Sequence, residues 1–321
     1  DGQKIYVRNT KNTLSTWSNC LTFTTGGDDD GKVMASGNVN SMIAFHDLSE
    51  YCFKKLFSQC DNLISAPELP ATTLAKGCYS SMFSSCDSLV EAPELPATTL
   101  ADSCYIDMFT GCASLAQAPE LPATTLEYNC YNSMFMHCGS LEEVPDLPAT
   151  ILAEGCYEYM FSSCEGLTIE KDWFINHIFN KQNVSFGLNW ADGMFNEASY
   201  KSNEPFTLPN KNSFALKPYC FSGLNSEIDV TSIPQDYLPW TELAEGCYYR
   251  MFAFCYHLKN VPKLPATTLV DRCYTEMFGY CNDLQIREET PSNNVDTFIF
   301  TCPSTDGLRY PVNGMFPNQS V

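Results

Sequence analysis

Cys52, Cys78, Cys104, Cys130, Cys156, Cys247 and Cys273 are each followed eight residues later by a second cysteine, at positions 60, 86, 112, 138, 164, 255 and 281. Of the chain's 17 cysteines, only Cys20, Cys220 and Cys302 fall outside this pattern. So many thiols could build zinc sites or a disulfide framework. Zinc sites usually announce themselves by a C-x-x-C spacing, which does not occur here. Eight residues along a helix span about 12 Å, beyond disulfide reach. Equivalent cysteines in stacked segments would stand about 5 Å apart, within reach, but an odd-membered column cannot pair completely. The pattern favours buried free thiols acting as small apolar groups; scattered disulfides between segments are the alternative.

Carboxylates recur in the same register. Glu68, Glu94, Glu120 and Asp146 would form a row, with Lys263 later in the same frame, and Glu91, Gln117, Glu143 and Asn260 lie beside it. Such a row could receive a basic partner or calcium. Neighbouring carboxylates about 5 Å apart in water repel by only ~1 kcal/mol, less in salt, so a solvated acidic face needs no ligand. Tyr79, Tyr105, Tyr131, Tyr157, Tyr248 and Tyr274 could stack on sugar rings, although packing with the hydroxyl in water is the simpler reading. Paired threonines such as Thr72 and Thr73 or Thr98 and Thr99 would form ladders between segments.

Two irregular stretches stand apart. "TIEKDWFINHIFNKQN" offers Trp173, Phe174, His177 and Phe179 between Lys171 and Lys181, aromatic anchors of the kind that dominate binding surfaces. A longer amphipathic helix packed on its neighbours would use the same residues. "GGDDDGK" lacks the spacing and distal glutamate of a calcium loop and reads as a hairpin turn. Four scattered histidines, His46, His137, His177 and His257, accompany no nucleophile elbow, phosphate loop, dinucleotide fingerprint or metalloprotease helix. Catalysis needs unlike groups converging on one point, whereas a translational repeat sets like groups in rows. No enzyme, cofactor or metal site is expected.

The element that positions all of these is a repeat. "CYSSMFSSCDSLVEAPELPATTLA", from Cys78, returns 26 residues later as "CYIDMFTGCASLAQAPELPATTLE". A unit this short cannot bury its own apolar face, so it must stack on a neighbour. Leu100, Cys104, Met108 and Cys112, spaced by four, with Phe109 and Leu115, predict a helix begun by a Thr99–Asp102 capping box, which Thr268 and Asp271 repeat. "SLAQAPEL" reads as a short strand, and the prolines of "PELP" as an extended arc. The expected fold is α/β: strand, arc and helix stacked into a coil, with a parallel sheet on one face and helices on the other.

The stretch "LPATTLADSCYIDMFTGCASL" resembles the BspA-like leucine-rich repeats of bacterial surface proteins, over roughly residues 43–289. The 26-residue unit is a few residues longer than that family's, and the difference falls in the arc and helix. The resemblance implies a leucine-rich-repeat solenoid, export from the cell and, as in some members, adhesion to host matrix proteins.

The frame of Met82 can be followed as Leu56, Met82, Met108, Met134, Met160, Met194, Leu224, Met251, Met277 and Met315. This predicts one continuous coil of about nine or ten units (43–289) with an insertion near 168–185. An N-terminal β-rich cap (1–42) holds the strands "KIYVR" and "LTFTTGGDDDGKVMAS", and a cap or degenerate last repeat spans 290–321. The 44% hydrophobic and 13% aromatic content suffices for a core. A net charge of −20 argues against nucleic acid and anionic membrane, and no apolar run reaches the ~18 residues of a membrane span. The chain opens with Asp1 and reads as a processed ectodomain.

The expected function is a monomeric, non-enzymatic, surface or secreted binding module for a host or neighbouring-cell protein or glycan. Glu68, Glu94, Glu120, Asp146, Glu91, Glu143, Trp173, Phe174 and His177 are its candidate contacts. A ligand-free scaffold, and a glycan-processing accessory or enzyme using the 168–185 insertion, are the alternatives.

Overall fold

A computed structural model describes residues 32–42, 48–200, 204–284, 307–308 and 310–316. Through them the backbone follows the four-residue period of the apolar side chains literally. In residues 77–86, Gly77, Ser81 and Ser85 all take left-handed conformations, with φ of 57°, 52° and 58°. The N–H groups of Cys78, Ser80, Met82, Ser84 and Cys86 donate three residues back, to Ala75, Gly77, Tyr79, Ser81 and Phe83. Those of Gly77, Tyr79, Ser81, Phe83 and Ser85 donate forward into the next coil, to Asp102, Cys104, Ile106, Met108 and Thr110, at 2.7–3.0 Å.

The segment is therefore a ribbon of overlapping turns, every second one carrying the left-handed third residue of a type II turn. This corrects the expected helix. In an α-helix every N–H would turn back four residues, leaving none for the neighbouring coil. The ribbon recurs at 51–60, 103–112, 129–138 and 155–164, at wider spacings at 189–197, 219–227 and 246–254, and at the regular spacing again at 272–280. Residues 310–316 add a further coil: Tyr274, Glu276 and Phe278 donate to Pro311, Asn313 and Met315. Among the described residues the helical elements are one 3-10 turn, Val39–Met42, and a π-type stretch, Ile175–Phe179, in the insertion.

The expected sheet is present as thin parallel stitches. β1 (Val33–Met34) pairs with β2 (Leu63–Ser65), β3 (Ile151–Leu152) with β5 (Ser185–Phe186), and β4 (Thr168–Ile169) with β6 (Ser199–Tyr200), all parallel. Elsewhere single-residue bridges carry the pairing: Ser65 to Glu91 to Gln117 on one line, and Thr73 to Thr99 or Thr125 to Ile151 on another. Prolines on both sides withhold the donors that would lengthen the ladder. Thr99 is thus a bridge residue and not a helix cap. The paired threonines hold neighbouring coils through their backbone, the Thr98 and Thr99 N–H groups both donating to the Thr72 carbonyl. Residues 1–31, with "KIYVR", most of the second expected cap strand and all but the last residue of "GGDDDGK", lie outside the described residues, as does 285–306.

Stacking puts like on like. Phe83, Phe109, Phe135, Phe161 and Phe195 form a file of near-parallel rings 5.6–5.8 Å apart. Tyr79, Tyr105, Tyr131 and Tyr157 form another at 5.8–6.1 Å. The tyrosine hydroxyls, expected in water, are enclosed: those of Tyr79, Tyr131 and Tyr248 are buried without a hydrogen-bond partner, because the rings stack inside the coil.

All the cysteines except Cys20 and Cys302, which are outside the described residues, are buried and unbridged. Most of the second cysteines also bond. Cys86, Cys112, Cys138, Cys164 and Cys281 point their thiols at the carbonyls of Phe57, Phe83, Phe109, Phe135 and Phe252, one coil back, at 3.0–3.2 Å. Burial pushes the thiols of both sets up, Cys52 to about 11 and Cys112 to about 12, far from the thiolate that reactivity requires.

Holding a non-glycine residue left-handed costs about 1–2 kcal/mol, and glycine's extra chain entropy returns about 0.5–1 kcal/mol of that. Ser103, half-buried at φ 53°, separates ribbon from helix. Ser103→Gly is expected to raise stability by about 0.5–1 kcal/mol in denaturant unfolding, and Ser103→Val to lower it; in an α-helix the glycine would cost about 0.5 kcal/mol instead.

Candidate functional site

Extended backbone alternates its side chains, so each arc buries a leucine and exposes its neighbour. Leu69, Leu95, Leu121 and Leu147 are buried while Glu68, Glu94, Glu120 and Asp146 are exposed, one to each successive coil. Glu91 and Gln117, exposed and bridged backbone to backbone, form part of a second line, with exposed Glu143 in the same frame. Asn260 is occupied with structure: it exchanges hydrogen bonds with the N–H and carbonyl of Ile233, at 2.9 and 2.7 Å. At the far end of the row, Lys181 of the insertion donates to the Leu147 carbonyl beside Asp146. Burial lowers this ammonium's pKa, and Asp146 opposes the shift.

The insertion does not present its aromatic anchors. Trp173 and Phe174, expected on a binding face, are 7% and 0% exposed. Their rings meet Phe195 edge-on at 4.9 and 5.8 Å, and Phe174 also meets Phe206 and Trp190. An aromatic cluster fills the wider coil. His177 alone of the three faces outward, its ring stacked 4.6 Å from Trp173 and its Nδ1 2.7 Å from the Trp173 carbonyl.

A polar seam that the sequence reading missed crosses the ribbon face. The ribbon position of Ser80 is occupied in later coils by Asn132, Glu158 and Asp192. Asp192 is fully buried, and Arg250 reaches it at 2.6 Å while its Nε lies 3.6 Å from Glu276. The second Asp192 oxygen is buried without a partner. Asn132 Nδ2 donates to Glu158 at 2.9 Å, and Tyr159 and Asn196 each donate to Glu227 at 2.8 Å.

The seam lies where pairing between coils passes to side chains. The Asn189 N–H donates to Ser222 Oγ, and the Phe206 N–H to Asn225 Oδ1. The signal was in the register: the intervals of 34 and 30 residues around Met194 mark this junction, and charged residues enter a frame position that is Ser80 and Ile106 earlier. Burial, with Asp192 adding to it and Arg250 opposing, pushes Glu158 up to about 7. Burial likewise raises Asp192 and Glu227, with Arg250 working against both.

A shallow groove of about 290 Å³ opens among Lys171, Pro209, Lys211, Tyr237 and Trp240. Its ring residues turn their polar tips inward, Trp240 Nε1 to the Phe214 carbonyl and Tyr237 to the Phe206 carbonyl. Among the described residues no group of three or more His, Cys, Asp or Glu is placed to hold a metal ion, and no helix is long and apolar enough to cross a membrane.

No protein family and no curated protein matches the chain. Among solved structures, a leucine rich cell surface protein from Faecalibacterium prausnitzii A2-165 is 13% identical, covers 86% of this chain and 80% of its own, and superposes with a TM-score of 0.36. A leucine-rich repeat protein from Bacteroides ovatus ATCC 8483 is 16% identical over 87% of this chain and 67% of its own, with a TM-score of 0.37. Superpositions this partial add no weight; the coil stands on its own hydrogen bonds.

A carboxyl raised in the folded state binds its proton more tightly there, so stability falls as pH rises from the ordinary glutamate value of 4.5 to the folded value near 7. The midpoint of thermal unfolding is expected to drop across that window. Glu158→Gln should flatten the drop and raise the midpoint at pH 7.5; an unchanged profile would show that Glu158 titrates normally.

Proposed function

We propose that the chain is a non-enzymatic, adhesin-like binding module of a cell surface or the secreted space. Its repeat-built face meets a host or neighbouring-cell protein or glycan. The observation that carries this reading is the exposed row Glu68, Glu94, Glu120 and Asp146, flanked by Glu91 and Glu143. Stacked coils hold these carboxylates in register on a scaffold that needs none of them for its core. Such a row complements a basic, extended protein segment, and a net charge of −20 keeps nucleic acid and anionic membranes away.

The resemblance of the repeat to exported surface proteins supports the location. The chain acts as a monomer in this reading. The glycan-processing alternative loses its support, because Trp173 and Phe174 are spent on packing.

The test is binding of the intact chain to arrayed matrix proteins and glycans. At low salt, Glu94→Lys with Glu120→Lys is expected to weaken binding to a basic matrix protein at least tenfold, and raising the salt should weaken the wild type. Binding indifferent to both changes would remove the row from the interface. A folded chain that binds nothing would be a scaffold.

A further inference from the structure

Nine ribbons among the described residues have a third left-handed position. In most coils it holds Gln59, Ser85, Gly111, His137, Ser163, Glu197 or Glu227, and in two it holds Phe254 and Tyr280. Two residues beyond it stand Asp61, Asp87, Ala113, Gly139 and Glu165, but Tyr256 in the coil of Phe254. The repeat thus makes the same turn with small or polar residues, and three rings appear where the core asks for none. Bulky residues are costly in left-handed conformations, and strain of this kind collects at functional positions. Phe254 and Tyr280 hold φ of 60° and 62°.

Three of the other left-handed tyrosines are explained by packing, although the exposed Tyr310 is not. Tyr51, Tyr159 and Tyr219 lie over Gly77, Gly193 and Gly246, where a Cβ would come within 2.2–2.3 Å of the ring. Tyr256 and Tyr280 do not share that role; they are 51% and 58% exposed.

These rings are fixed before any partner arrives. Asp192, buried, holds Arg250, whose guanidinium lies 5.2 Å from the Phe254 ring centre. Tyr280 stacks on Phe254 at 4.5 Å and 5°. Tyr256 stands edge-on to Phe254 at 6.3 Å and 70°, roughly at right angles to the stacked pair. His257 and Asp283, both exposed and 3.3 Å apart, occupy the next position of the same two coils.

We infer that Tyr256 and Tyr280 form a platform for a neutral sugar ring. This inference rests on the reading of the chain as a binding module and names a ligand class for a second surface of it. A pyranose offers an apolar C–H face to an aromatic plane and a rim of hydroxyls to donors and acceptors beside it. Tyr280 supplies the plane on the side turned away from Phe254, and the tyrosine hydroxyls with His257 and Asp283 the polar rim. Asp283 and the net charge of −20 disfavour an acidic sugar. Rigid aromatic anchors lose little freedom on binding.

The probes are cellohexaose, laminarihexaose, xylohexaose, mannohexaose and maltohexaose, titrated into the intact chain by calorimetry. At least one is expected to bind with a submillimolar Kd. Tyr256→Ala with Tyr280→Ala should weaken it at least tenfold in a chain that still unfolds cooperatively, and Tyr280→Phe should keep most of the affinity. Glu94→Lys with Glu120→Lys should leave it untouched. The inference is overturned if no hexasaccharide binds, or if the double alanine variant binds as tightly as the wild type. If a matrix protein then still binds and the charge reversal abolishes it, the sugar platform fails while the binding module stands.

Discussion

In the regular ribbons the amide groups are divided: one N–H closes a turn on its own segment and the next crosses to the following coil. Buried backbone donors must be satisfied somewhere, and this division decides where. A segment taken alone would leave half its donors unpaired, so it has no stable form by itself. It also sets the rise from coil to coil, because each crossing bond is a lateral bond of sheet-like length. The coil is in effect a sheet whose strands have been wound into turns.

Everything that lines up does so because of that crossing. Phenylalanine and tyrosine rings stack at 5.5–6.1 Å, since the backbone beneath them repeats at that scale. The Phe carbonyl that closes a turn for Cys86 or Cys112 in its own coil receives the thiol of the next coil's cysteine as well. The paired cysteines are therefore a lateral fastening in addition to filling. Where the crossing bonds pass to side chains, near Asn189 and Ser222, the coil carries its buried ion pair, Asp192 with Arg250. Removing one member would strand a buried charge, usually more costly than the pair is worth.

Much of this was legible. The 26-residue period, the frame carried through Met194 and Leu224 to Met277, the buried free thiols and the exposed carboxylate row all follow from spacing. The ribbon was misread because apolar residues at i, i+4, i+8 and i+12 satisfy a helix over two or three turns. A strict four, without the drift that 3.6 demands, was the sign that went unused, together with Gly77, Asn129 and Gly155 at the left-handed positions. The tyrosine hydroxyls and Trp173 were misplaced for a shared reason: amphipathic side chains read alike whether half or wholly enclosed, and only packing decides. The seam through Asp192 and Arg250 and the rings at Tyr256 and Tyr280 are departures from the repeat. They show only once each residue is set against its equivalents in other coils.

The division of the amide groups can be read bond by bond through scalar couplings across hydrogen bonds in the isotope-labelled chain. The amide nitrogen of Phe109 should couple to the carbonyl carbon of Met134, one coil away, and that of Met108 to Tyr105, three residues back. Coupling of Phe109 to Tyr105, four residues back, would mean an ordinary helix, and the interlocked ribbon would be wrong.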